Sequence, residues 1–146
     1  MNWGPKVIVT AVDGSEQSMH AAQMAAAIAR RNSARLLFVT VVRPPEGWWG
    51  LGGAPPPPEA LSEALIEGQR EILGRTVGSI DLEGIKHDTL EELGDPAGTI
   101  VAVCEREGAD LLVIGRRGAG LIERFVIGSV ADRLAHYAPC PLLIVP

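Results

Sequence analysis

Residues 109–130 read ADLLVIGRRGAGLIERFVIGSV, and their order decides the fold. Residues 111–114 (LLVI) are wholly apolar and too few to make a helix. A short apolar run of this kind reads as a strand buried on both faces of a sheet. It stops at Gly115, and a glycine-rich stretch leads to Gly128-Ser129, where helical spacing begins. Strand, glycine-rich turn and helix in that order make the repeating half-unit of a parallel α/β sheet.

The same order recurs on either side. Residues 7–12 (VIVTAV) are a strand that ends at Asp13-Gly14-Ser15. Ser15 then suits the N-cap of a helix with Ala21, Met24, Ala25 and Ile28 on one face, ending at residues 30–32. Residues 36–42 (LLFVTVV) are a second strand, stopped by Pro44-Pro45. Residues 59–77 return to helical spacing with Leu61, Leu65 and Ile72, and residues 85–93 read as a weaker strand. Asp95-Pro96 opens a helix carrying Ala97, Ile100, Val101 and Cys104 inward, and Gly108 closes it. The last helix points Val130, Leu134 and Ala135 inward, and prolines 139 and 141 part it from the strand Leu142–Val145. These elements predict one domain spanning residues 1–146, with a five-stranded parallel sheet and helices on both faces. Ligands of such sheets sit beyond the C-terminal strand ends, where the strand order reverses.

Composition limits the function. The 146 residues are 47% hydrophobic but only 4% aromatic, so the core is aliphatic. A net charge of −5 and the lack of a basic run argue against a nucleic-acid partner. No apolar stretch is long enough to span a bilayer and no apolar signal core opens the chain, so the expected location is cytoplasmic. Cys104 and Cys140 fit no ligand pattern, and His20, His87 and His136 form no metal-spaced cluster. Residues 43–58 (RPPEGWWGLGGAPPPP) defeat both helix and strand and form a long loop. Its Trp48 and Trp49 either fold back over the domain or serve as a lid or a docking patch for a protein partner.

Chemistry concentrates in residues 115–130. Gly115, Gly118, Gly128 and Ser129 form Gly-x2-Gly-x9-Gly-Ser. Gly115 leaves room at a strand end, Gly118 and Gly120 allow positive φ, and Gly128-Ser129 stands at a helix N-terminus that attracts anions. The bland alternative is a surface turn with Ser129 as a cap. Likewise Asp13 is either a site residue at a strand end or a turn former. There is no Gly-x4-Gly-Lys-Ser/Thr, and the DGSEQS turn lacks the SGGxDS pattern of ATP pyrophosphatases. No nucleophile–base pair can be placed.

The segments VTAVDGSEQS (9–18), GDPAGTIV (94–101), ADLLVIGRRG (109–118) and GSVADRLAHYAPCPLLIVP (128–146) resemble the ATP-binding branch of the universal stress protein family. The resemblance implies a Rossmann-like sheet of order 3-2-1-4-5, with the switch point between Asp13 and Gly115. It implies that Asp13 meets the ribose or adenine, that Val41 offers backbone to adenine, and that Ala11 and Ile114 line the base pocket. Gly115, Arg117, Gly118, Gly128, Ser129 and Val130 are then expected to hold the ribose and phosphates of ATP, accompanied by Mg²⁺. Ala11 stands where some members place Pro, and Arg117 where some place His. The resemblance also implies a homodimer through Leu142–Val145. The leading expectation is an ATP-binding stress-response regulator; the alternatives are a nucleotide-independent interaction module of the same fold and a slow ATPase.

Overall fold

Strand and helix alternate along the chain as β1 (Val7–Ala11), α1 (Glu16–Asn32), β2 (Arg35–Val42), α2 (Glu59–Gly78), β3 (His87–Leu93), α3 (Pro96–Glu107), β4 (Leu111–Gly115), α4 (Ser129–Tyr137) and β5 (Leu142–Val145). The computed structural model describes residues 1–43, 59–116 and 127–146, and the side chains of all of these except 59–62. The tryptophan loop therefore lies, beyond Arg43, outside the described residues. The five strands pair in the order β3-β2-β1-β4-β5, and every pairing is parallel. The predicted sheet and strand order are thus what the chain adopts.

The pleat divides the core in two. Ile8, Val12, Leu36, Phe38 and Val113 face α1 and α2, while Val9, Leu37, Val39, Leu112 and Ile114 face α3 and α4. Helices accordingly cover both faces. Their ends follow the sequence closely. Ser15 Oγ accepts from the Ser18 N–H at 3.1 Å, Asp95 Oδ2 accepts from the Gly98 N–H at 2.9 Å, and Gly108 closes α3 at φ 66°.

Helix facing departs from the expected pattern on three helices. On α1 the buried residues are Ser18, Ala21, Ala22, Ala25, Ala26 and Ala29, whereas Met24 is 45% exposed and Ile28 only partly buried. A face built of alanines lets the helix axis approach the sheet more closely than long side chains would allow. On α4 the buried pair is Ala131 and Leu134, and Ala135 points outward. On α2, Leu73 fills the core, where Ile72 is only partly buried.

The close seat of α1 has a definite limit at Gly115. A Cβ on Gly115 would lie 2.8 Å from the backbone carbon of Gln17 and 3.0 Å from its oxygen. The space that Gly115 leaves is therefore filled by the first turn of α1. A side chain at this position would meet a helix backbone first. Backbone cannot swing aside as a flexible side chain can. Gly115→Ala is expected to lower stability by about 1–3 kcal/mol through overpacking. Urea unfolding of the purified variant measures this, and an unchanged midpoint would contradict the close contact.

Candidate functional site at the switch point

β1 lies between β2 and β4, so the strand order reverses at its C-terminal end. Register places Thr10 beside Val113 and Ala11 beside Val39. The Val12 N–H donates to the Val39 carbonyl at 2.8 Å, extending the pairing one residue past β1. The chain then turns sharply. Asp13 Oδ1 accepts from the Ser15 N–H at 2.9 Å, and Gly14 takes φ 84°, a left-handed conformation that favours glycine. The exposed Asp13 thus stands at the rim of the switch point, with one carboxylate oxygen engaged in its own turn.

Four of the sequence-derived site residues lie on the α3/α4 side of the sheet. Ile114 is buried there, and Ala11, Val41 and Val130 pack partly exposed against the same core. They stand towards the ends of β1, β2 and β4 and at the start of α4, and three of the four are only partly covered. The Gly128 N–H donates to the Arg116 carbonyl at 2.8 Å, which pins the helix entrance to the end of β4. Gly128 is the N-cap at φ −66° and ψ 156°, and among the described residues no side chain caps the helix. Ser129 is exposed as the first helical residue. Its hydroxyl is therefore not the cap that the bland alternative supposed. Arg117 and Gly118 lie outside the described residues.

Arg116, at the end of β4, also donates its N–H to the Val145 carbonyl at 2.8 Å. Its Nε is buried and has no hydrogen-bond partner among the described residues. Among those residues no group of three or more His, Cys, Asp or Glu could hold a metal ion, and no helix is long and apolar enough to cross a membrane.

A further group at this end of the sheet was not legible from spacing. Asp95 Oδ1 accepts from Arg133 of α4 at 2.9 Å and lies 3.6 Å from Arg43 at the end of β2. One carboxylate thus caps α3 and ties it to α4 and to β2. The hydrogen bond from Arg133, then that from the Gly98 N–H, holds the Asp95 carboxyl below the usual carboxylate range, with the Arg43 charge adding to the effect.

Apolar residues towards the strand ends and a helix N-terminus suit a ligand with an apolar ring and an anionic group. The fold is that of a doubly wound α/β protein. Residues 5–146 match the universal stress protein family, and the chain belongs to that family. It is 36% identical over 140 residues to the universal stress protein MJ0531 of Methanocaldococcus jannaschii, covering 96% of this chain and 81% of that one. Among solved structures, a universal stress protein in complex with cAMP superposes with a TM-score of 0.63 at 22% identity, covering 99% of this chain and 98% of the other. Another, from Archaeoglobus fulgidus in complex with dAMP, gives 0.59 at 21% identity and covers 100% of both. At those identities the two structures establish the fold alone.

Asp95 gives the site a pH dependence with a fixed sign. Its carboxylate is favoured in the folded chain, so the stability it contributes is complete above the unfolded value of about 3.9 and is lost as pH falls through the lower folded value. The stability gap between the native protein and Asp95→Asn is expected to be constant near neutrality and to narrow below about pH 4. Added salt should shrink it, because the pair is substantially exposed. Urea melts across the acid range test this, and a gap independent of pH would overturn it.

Proposed function

We propose that this chain binds ATP at the switch point, with Mg²⁺ carried on the triphosphate, and acts as a regulatory protein of the stress response. The observation that supports the reading is that Ala11, Val41, Ile114 and Val130 all pack on the α3/α4 core, an apolar floor towards the strand ends, with Val130 in the first turn of α4. In this reading the adenine lies on that floor and Val41 supplies backbone contacts. Asp13 meets the ribose, and the phosphates run from Gly115 towards Gly128 and Ser129, with Arg117 and Gly118 completing the cradle. The helix N-terminus supplies unpaired N–H groups and the positive end of its dipole to the anionic chain. Mg²⁺ is held through water and phosphate oxygens. Adenine nucleotides in two solved structures of like fold, cAMP in one universal stress protein and dAMP in another, support the ligand class.

The proposed role is binding, with hydrolysis slow if it occurs at all. The same chain is proposed to form a homodimer. β5 is an outer strand of the sheet, and its Leu142, Leu143 and Ile144 are only partly covered within one protomer. A second copy across that edge would cover the strand. Sedimentation at micromolar concentration should give twice the mass of one chain, and a single-chain mass there would refute the dimer.

Nucleotide-free protein is expected to gain about 2.7 kcal/mol of stability when ATP with Mg²⁺ is present at about 100 times its dissociation constant. The Gly128→Ala, Ser129→Ala double variant should lose most of that gain. Its backbone can accept the change, since Gly128 is extended at φ −66° and Ser129 is exposed. Thermal unfolding with and without nucleotide reads both effects. A folded native protein with no shift at millimolar ATP would favour the nucleotide-independent interaction module.

A further inference from the structure

The ladder between β4 and β5 runs one residue past β4 and carries an arginine with it. The Leu112 N–H donates to the Pro141 carbonyl at 2.9 Å, and the Arg116 N–H donates to the Val145 carbonyl at 2.8 Å. Side chains alternate between the two faces along such a ladder. Leu112 and Ile114 pack on the α3/α4 core, and a Cβ on Gly115 would point at Gln17 of α1. Arg116 therefore stands on the α3/α4 face. Its carbonyl accepts from the N–H of Gly128, the N-cap of α4, at 2.8 Å, so it adjoins the start of that helix.

Arg116 is only partly exposed, and its Nε is buried with no hydrogen-bond partner among the described residues. None of the ion pairs among those residues includes it. Arg31 and Arg75 also lack an ion pair there, but both are exposed to water. Arg35 is partly exposed like Arg116, and it donates to Asp88 and Glu107. A donor withdrawn from water without an acceptor loses its hydration with no replacement, and buried donors of native proteins are nearly always satisfied. The neighbouring start of α4 attracts negative charge as well. An anionic oxygen brought by a ligand suits both.

We propose that Arg116 is a phosphate-binding residue, and that it makes the site prefer adenine nucleotides with a di- or triphosphate chain over adenosine, AMP and cyclic AMP. The inference rests on the nucleotide reading above. Strand order supplies the direction. Val41 lies on β2, Ala11 on β1, and Arg116 just past β4. Two strand spacings, about 10 Å, separate β2 from β4. A base over β2 and β1 and its ribose occupy that span, so the outer phosphates are the groups that extend to β4. There a phosphate oxygen accepts from Nε in a charge-assisted hydrogen bond. Adenosine offers no anion, and AMP and cyclic AMP hold their one phosphate close to the ribose.

The test is calorimetric titration of the nucleotide-free protein with ATP, ADP, AMP, cyclic AMP and adenosine, with Mg²⁺ present throughout. The native protein, Arg116→Met and Arg116→Lys are compared. Native protein should bind ATP and ADP at least about tenfold more tightly than the other three, the scale of one hydrogen bond to a charged group. Arg116→Met should lose about tenfold or more for ATP and little for adenosine, which levels the series. Arg116→Lys keeps the charge without the Nε donor and should fall between the two. Equal losses for ATP and adenosine would make Arg116 structural and overturn the inference with the adenine reading intact. An unchanged preference in the Met variant, or native protein that binds adenosine as tightly as ATP, would do the same. Folded native protein that binds none of the five would remove the nucleotide reading and this inference with it. If the Met variant does not fold, the Lys variant carries the comparison.

Discussion

The fold depends on how closely one helix can lie on one strand. The first turn of α1 comes within contact distance of the end of β4 at Gly115, and the alanine face behind that turn keeps the approach close along the rest of the helix. Since α1 follows β1 in the chain and touches β4 across the sheet, this contact fixes how the two strands at the switch point sit under their helix. It also decides which side of the switch point is open. The α1 side is filled by backbone at Gly115, and Ala11, Val41 and Val130 lie partly covered on the α3/α4 side.

Charge organises the same end of the sheet. The chain is acidic overall at −5, yet here a single carboxylate is flanked by two arginines. Asp95 combines a local task, capping α3, with a tertiary one, holding α4 and the end of β2. The floor residue Val41 lies two positions before Arg43, and Ser129 lies one helical turn before Arg133, so Asp95 braces both sides of the site without belonging to its apolar floor.

Features ruled by short-range chemistry were legible in the sequence. Ser15, Asp95-Pro96 and Gly108 each announce a helix end because capping uses only neighbouring residues. The apolar runs at β1, β2 and β4 announce buried parallel strands. The strand order came from the family resemblance, since periodicity cannot say which strand neighbours which. Facing was less legible where small side chains decide it. Met24 looked like core and is exposed, because the sheet sits too near α1 to admit it and alanines take the inward positions. Ala131 and Ala135 are alike in chemistry, and only the helix's final rotation chose the former. The Asp95 group joins residues far apart in the chain, which no local pattern encodes. Val41, Ala11, Ile114 and Val130 could be named as a set only through the resemblance.

The central place of β1 has a consequence for how the molecule is made. Its two neighbours come from opposite ends of the chain: β2 follows almost at once, but β4 begins only at Leu111. A ribosome adding about 5–20 residues per second needs on the order of 4–14 s to travel from the end of β2 to the start of β4. Throughout that interval an apolar VIVTA strand has one side unpaired, and α1 lacks half of the surface it will cover. The innermost strand of the finished protein is an edge strand for much of its synthesis. The nascent chain is therefore most prone to wrong pairing at the sequence that ends up best protected.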